Sequence, residues 1–196
     1  MHSAGAPCTP DPGRSTNAMI TYETQNLHPD YKHLALDIGY SRNKATCGIM
    51  YDGIGEPIEL TFGKVITAVK NWIERNGPCI LIVEAVLSTF HNNEGNSDIR
   101  GDFEKGRGWY YGPGVVTFAA AMRFLSTLRN IVSIDASVIL AEAFLAFKQK
   151  RSNHSEDAMI IYNKFWETKP EKLRSGVEPI LEDISGVPSV RVFTEQ

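Results

Sequence analysis

Apolar residues in this chain come in short bursts whose spacing changes along its length. His33-Leu-Ala-Leu-Asp37-Ile is an apolar run carrying one carboxylate. Gly39 to Asn43 supplies turn residues, and the apolar pattern resumes over Ala45–Tyr51. Pro57–Phe62 follows after the hairpin signal Asp52-Gly53, so the three segments predict a strand meander. From Lys64 to Arg75 the period becomes helical. Val65, Ile66, Val69, Trp72 and Ile73 share a face, and Gly77-Pro78 stops the run. Cys79-Ile-Leu-Ile-Val-Glu84-Ala is continuously apolar, as in a central strand covered on both faces, and it too ends on an acid.

Ser88 to Pro113 reads as a long loop rich in Gly, Asn and charge, a length that usually accompanies function. A second amphipathic helix is expected over Gly114–Leu128, with Val115, Phe118, Ala119, Met122 and Leu125 on one face. Ser137 to Phe144 fits a buried strand ending on Glu142, and a helix over 136–150 fits it too. Asn153 and Glu156 are spaced as a capping box for a helix reaching about Trp166. Ala158, Ile161, Tyr162 and Phe165 form its inner face, with Asp157 at the edge. Residues 1–30 lack periodicity and read as a disordered leader, within which Met19 is an alternative start. Residues 31–167 form the expected domain, and 168–196 an accessory segment. No internal repeat is present.

Composition narrows the class. The 196 residues are 42% hydrophobic and 22% charged, with net charge −3, so no overall basic field draws the chain to nucleic acid. Contact with a polyanion would need a local patch or a metal. No apolar run of about 18 residues is present, which predicts no membrane span. The start lacks a signal-peptide core, and the three cysteines are scattered. A cytoplasmic, reduced protein is expected, with Cys47 and Cys79 as small buried thiols.

An aspartate in an apolar strand is costly to bury unless a metal, a cation or hydrogen bonds compensate it. The order β-β-β-α-β-loop-α-(β or α)-α, with acids at Asp37, Glu84 and Asp157, resembles the RNase-H-like superfamily. His154-Ser-Glu-Asp157-Ala resembles the HxxDA opening of the last helix in RuvC-type resolvases. A closer resemblance is to an uncharacterised set of RNase-H-like nucleases. It is carried by Glu84-Ala-Val-Leu-Ser88, by Gly95-Asn96, Arg100, Glu104 and Trp109-Tyr110, and by Glu142 to Lys148, within residues 33–166. The resemblance implies an α/β fold with a mixed central sheet, an antiparallel three-strand meander plus parallel strands, and helices on both faces. It also implies a metal-dependent endonuclease acting on DNA or RNA, in which Asp37, Glu84 and Asp157 hold two Mg²⁺ or Mn²⁺ ions. By the same resemblance His154 would be the companion catalytic residue one turn earlier, a position that a plain solvent-facing or capping histidine would also explain. Glu142 is a fourth candidate metal ligand, at a position where RuvC has no clean equivalent, and the helical reading of its segment would put it on a solvated face instead.

The chemistry suits the residue types. Phosphodiester hydrolysis needs an activated water and relief of charge on the leaving oxygen, which paired hard cations supply. Hard cations select carboxylates over thiols, and His154 is suited to orient or deprotonate the water. Arg100, Arg107, Trp109 and Tyr110 interleave cation and aromatic, which suits phosphate contact and base stacking. Those aromatics would equally pin the loop to the sheet. Lys148 belongs to a second basic stretch, which a solvated helix end would also explain. Each acid has a plainer role open to it. Asp37 would cap a turn, Glu84 would form an ion pair, and Asp157 would favour a helix dipole. Two other classes stay open. One is an actin- or sugar-kinase-like phosphate-binding protein, against which Tyr40-Ser-Arg-Asn43 is bulky. The other is an inactive RNase-H-like scaffold subunit. A second copy of the chain is left open as a partner.

Overall fold

The computed structural model describes residues 20–21, 28–41, 43–85, 87, 113–132, 138–146, 150–168, 170–171 and 190–194. Three strands open the main body: β2 (Lys32–Asp37), β3 (Cys47–Tyr51) and β4 (Ile58–Leu60), after a two-residue β1 (Ile20–Thr21). They pair antiparallel as the turn chemistry predicts, with Leu34 opposite Tyr51 and Asp37 opposite Gly48. Gly53 takes a positive φ of 89° in the β3–β4 turn, where a side chain would be strained. α1 (Phe62–Asn76) then crosses to β5 (Cys79–Glu84), which lies parallel to β2.

α2 (Pro113–Ile131) leads to β6 (Val138–Ala146), and α3 (His154–Lys164) follows. Residues 138–146 are therefore strand, which decides between the two conformations their pattern allowed. β5 needs a hydrogen-bonding partner on its second edge, and β6 supplies it in parallel register from Cys79–Val138 to Glu84–Ala143. β7 (Pro170–Glu171) and β8 (Val190–Thr194) extend the same sheet, so the tail segment contributes strands to it. The strand order is β4-β3-β2-β5-β6-β8-β7, and β1 lies parallel to the start of β6. The result is an α/β fold with a mixed sheet, in which an antiparallel meander adjoins parallel strands.

Strand alternation divides the core. Leu34, Leu36, Leu81, Val83 and Leu140 meet Val65, Val69 and Trp72 of α1 and Phe124 and Leu128 of α2 on one face. Ala35, Ile80, Ile82, Ile139 and Ala141 meet Ile161 and Phe165 on the other. Helices thus cover both faces. α1 buries the face its spacing predicted. α2 does so only in part: Leu125 of the expected face is buried, but Val115 and Ala119 are exposed, and Ala120, Ala121, Phe124 and Leu128 turn inward with Leu125. Cys47 and Cys79 are buried, and burial pushes their thiols up to about 11 and about 12. Among the described residues no helix is long and apolar enough to cross a membrane. Residues 1–19, 22–27 and 172–189 of the leader and tail, and 88–112 of the long loop, lie outside the described residues.

Candidate metal centre

β2 and β5 run parallel with Asp37 beside Glu84, so both strands deliver their last residue to the same end and the same face of the sheet. α3 crosses that face with its N-terminus at the same end. His154 is its first residue and Asp157 lies three positions on, one turn away on the same side. One oxygen from each of Asp37, Glu84 and Asp157 lies within 4.8 Å of the others. Residues 37, 84 and 157, far apart in sequence, are brought together as the acid pattern predicts.

The start of α3 is fixed locally in two ways. Asn153 accepts from the Glu156 backbone N–H at 2.8 Å, while the Glu156 carboxylate accepts from the Asn153 N–H at 3.0 Å, completing the predicted capping box. β3 meets the helix at Gly48, where an added Cβ would stand 1.8 Å from the His154 carbonyl oxygen. Only glycine permits that approach. A glycine inside an apolar strand is the signal that could have revealed it. Gly39, just after Asp37, is similarly crowded, 2.3 Å from the Thr46 carbonyl by the same measure.

Asp37 and Asp157 are buried, and Glu84 is half-buried. Each has one oxygen held by a donor from outside the trio. His154 Nδ1 donates to Asp37 Oδ2 at 2.7 Å. The Leu145 N–H donates to Glu84 Oε1 at 3.2 Å, and the Ser152 hydroxyl donates to Asp157 Oδ1 at 2.5 Å. The hydrogen bond to Asp37 raises the His154 pKa above its usual value. Burial opposes that rise, and the charges of Asp37, Glu59 and Asp157 add to it. Sequence reasoning missed Ser152, Leu145 and Glu59. A serine before a helix cap and an edge-strand glutamate carry no distinguishing pattern. It also gave no role to Tyr40, which stands 62% exposed just beyond Asp37 with its ring edge-on to Phe62 at 5.1 Å.

Glu142 is a correction to the expected ligand set. It pairs with Val83, one position out of phase with Glu84, so alternation turns it to the α1–α2 face, where it is fully buried. The sheet itself separates it from the three other acids. Arg100, Arg107, Trp109, Tyr110 and Lys148 lie outside the described residues.

The donor set suits a hard divalent cation, since all three groups present carboxylate oxygen and no thiol is among them. Oxygens on opposite sides of one Mg²⁺ stand ~4.2 Å apart, and across the longest Ca²⁺ bonds ~5.2 Å. The 4.8 Å spread of the trio is wider than one Mg²⁺ spans and lies under the Ca²⁺ figure, so a single small ion would draw the oxygens closer, whereas a pair of ions would not need to. No protein-family model matches the chain, and no curated protein or solved structure matches it either.

Proposed function

We propose that this protein is a divalent-metal-dependent nuclease of RNase-H-like type, hydrolysing phosphodiester bonds of nucleic acid. The observation that carries the reading is the convergence of Asp37, Glu84 and Asp157 at the ends of two parallel strands and the start of one helix. The order of elements that motivated the resemblance supports it.

Asp37, Glu84 and Asp157 are the residues that would hold Mg²⁺ or Mn²⁺, in the two-ion arrangement expected from the resemblance. When bound, such ions lower the pKa of water and neutralise charge on the leaving oxygen. The chain's own contribution is preorganisation. The two strands and the capped helix fix the backbone positions of the three acids, so the carboxylates are gathered before any ion arrives. His154 holds Asp37 through Nδ1, leaving Nε2 as the ring atom suited to exchange a proton with water or with the leaving group.

The test is Mn²⁺-dependent cleavage of single-stranded, duplex, hybrid and branched oligonucleotides, with Asp37→Asn as the control and a Mn²⁺ titration of unfolding temperature alongside. The wild type should cleave at least one substrate class and gain stability with metal, because an ion bound only by the folded state stabilises it. Asp37→Asn should do neither. A wild type that neither cleaves nor responds to Mn²⁺ would leave a scaffold role in place of the enzyme.

A further inference from the structure

We infer that Ser152 is a positioning residue of the metal centre, acting through Asp157. The inference rests on the reading of the three acids as metal ligands. Ser152 lies in the connection from β6 to α3, half-buried, just before the Asn153 cap. Its hydroxyl stands 2.5 Å from Asp157 Oδ1, within the range of a charge-assisted O–H···O⁻ bond. The capping box and the contact at Gly48 fix the helix backbone at this point. They act on the backbone and do not by themselves set the rotation of the Asp157 side chain. The serine restrains that rotation by holding one carboxylate oxygen, which sets the direction in which the other is offered.

The three acids therefore differ in how they are held. Glu84 is tied by a backbone N–H that the sheet fixes, and Asp37 by a histidine of the helix. Asp157 accepts from a small hydroxyl in the connection before α3, a restraint that one substitution removes. Groups that orient a metal's ligands without touching it typically change metal affinity by about 10- to 100-fold when removed.

Ser152→Val and Ser152→Thr test this directly, since valine and threonine share a shape and differ in the hydroxyl. The readout is the Mn²⁺ concentration at half-maximal rise in unfolding temperature, with metal-free unfolding temperatures measured in parallel. Ser152→Thr should keep the wild-type midpoint to within about threefold. Ser152→Val and Ser152→Ala should raise it about 10- to 100-fold, with metal-free unfolding temperatures close to that of Ser152→Thr. A merely structural serine would lower the metal-free temperature of Ser152→Val and leave its midpoint in place. Equal midpoints for the valine and threonine variants, in a protein whose wild type responds to Mn²⁺, would overturn the role of Ser152 alone. A wild type with no Mn²⁺ response would overturn the metal reading and this inference with it.

Discussion

The two ends of α3 are held to the same face of the sheet by different physics. At the C-terminal end the contacts are aromatic. The His33 ring stacks on Tyr162 at 4.3 Å and 14°, Phe165 is fully buried beneath them, and Trp166 meets Phe165 edge-on at 5.0 Å. The Tyr162 hydroxyl donates to Asp52 in the β3–β4 turn, and Lys32 reaches the same carboxylate. At the N-terminal end the contacts are polar: a capping box, a glycine that admits the helix backbone, and three acids close together. Apolar burial stabilises the first end, whereas mutual repulsion of carboxylates burdens the second. α3 is thus anchored at one end by apolar packing while its other end bears the cost of closely placed carboxylates.

Removing the anchor should have the largest effect. Phe165→Ala empties a fully buried site and should cost about 3–5 kcal/mol in denaturant unfolding. Forcing the other end apart comes next. Gly48→Ala places a methyl against the His154 carbonyl, and backbone cannot yield as a flexible side chain would. It should cost about 1–3 kcal/mol. It should also weaken Mn²⁺ binding, since His154 and Asp157 move together, whereas Phe165→Ala should spare the Mn²⁺ midpoint wherever the protein remains folded.

A substitution at the acidic end should carry the opposite sign. Glu84→Gln keeps an acceptor for the Leu145 N–H and removes one charge from the trio. It should raise metal-free stability by about 1 kcal/mol, or about 2–4 °C, while abolishing the Mn²⁺ response. A metal-free protein destabilised by Glu84→Gln would show that repulsion among the acids is not the governing term there.

The smallest expected effect is on pH dependence at the aromatic end. Burial lowers the His33 pKa below its usual 6.5, outweighing the opposing hydrogen bond to the Tyr162 carbonyl. The unfolded chain therefore takes up the proton first as pH falls. The contribution of neutral His33 is complete above pH 6.5 and declines as pH drops from there through the lowered folded value. His33→Phe keeps a ring for Tyr162 and should flatten the fall in unfolding temperature between pH 7.5 and 5. An unchanged slope would place the acid sensitivity elsewhere.

Much of this architecture was legible in the sequence because it depends on local periodicity. The continuous apolar run before Glu84 belongs to a strand with both faces covered, and the spacing of Val65, Val69, Trp72 and Ile73 belongs to a helix. Asn153 and Glu156 announce a cap whatever the helix later meets. The inward face of α2 was less legible. Apolar residues lie on several sides of that helix, so hydrophobicity alone does not orient it, and the core shared with α1 and the sheet took Ala120 and Ala121 inward.

The acids mark the boundary between the two kinds of information. Their presence at strand ends and in a first helical turn is written in the chain, and so is the reason to seek compensation for Asp37. Which of them meet was decided by register. Pairing of Val83 with Glu142 places Glu84 and Glu142 on opposite sides of one sheet, a difference of one residue that no single strand encodes. The donors that steady the site depend in the same way on chain crossing. Leu145 reaches Glu84 because β6 outruns β5, and His154 reaches Asp37 because β3 has a glycine where α3 passes. Sequence by itself determined most of the elements, residues 138–146 excepted, and which acidic groups were available. The tertiary structure alone decided which oxygens share a site, because that depends on contacts between residues up to 120 positions apart in the chain, from Asp37 to Asp157.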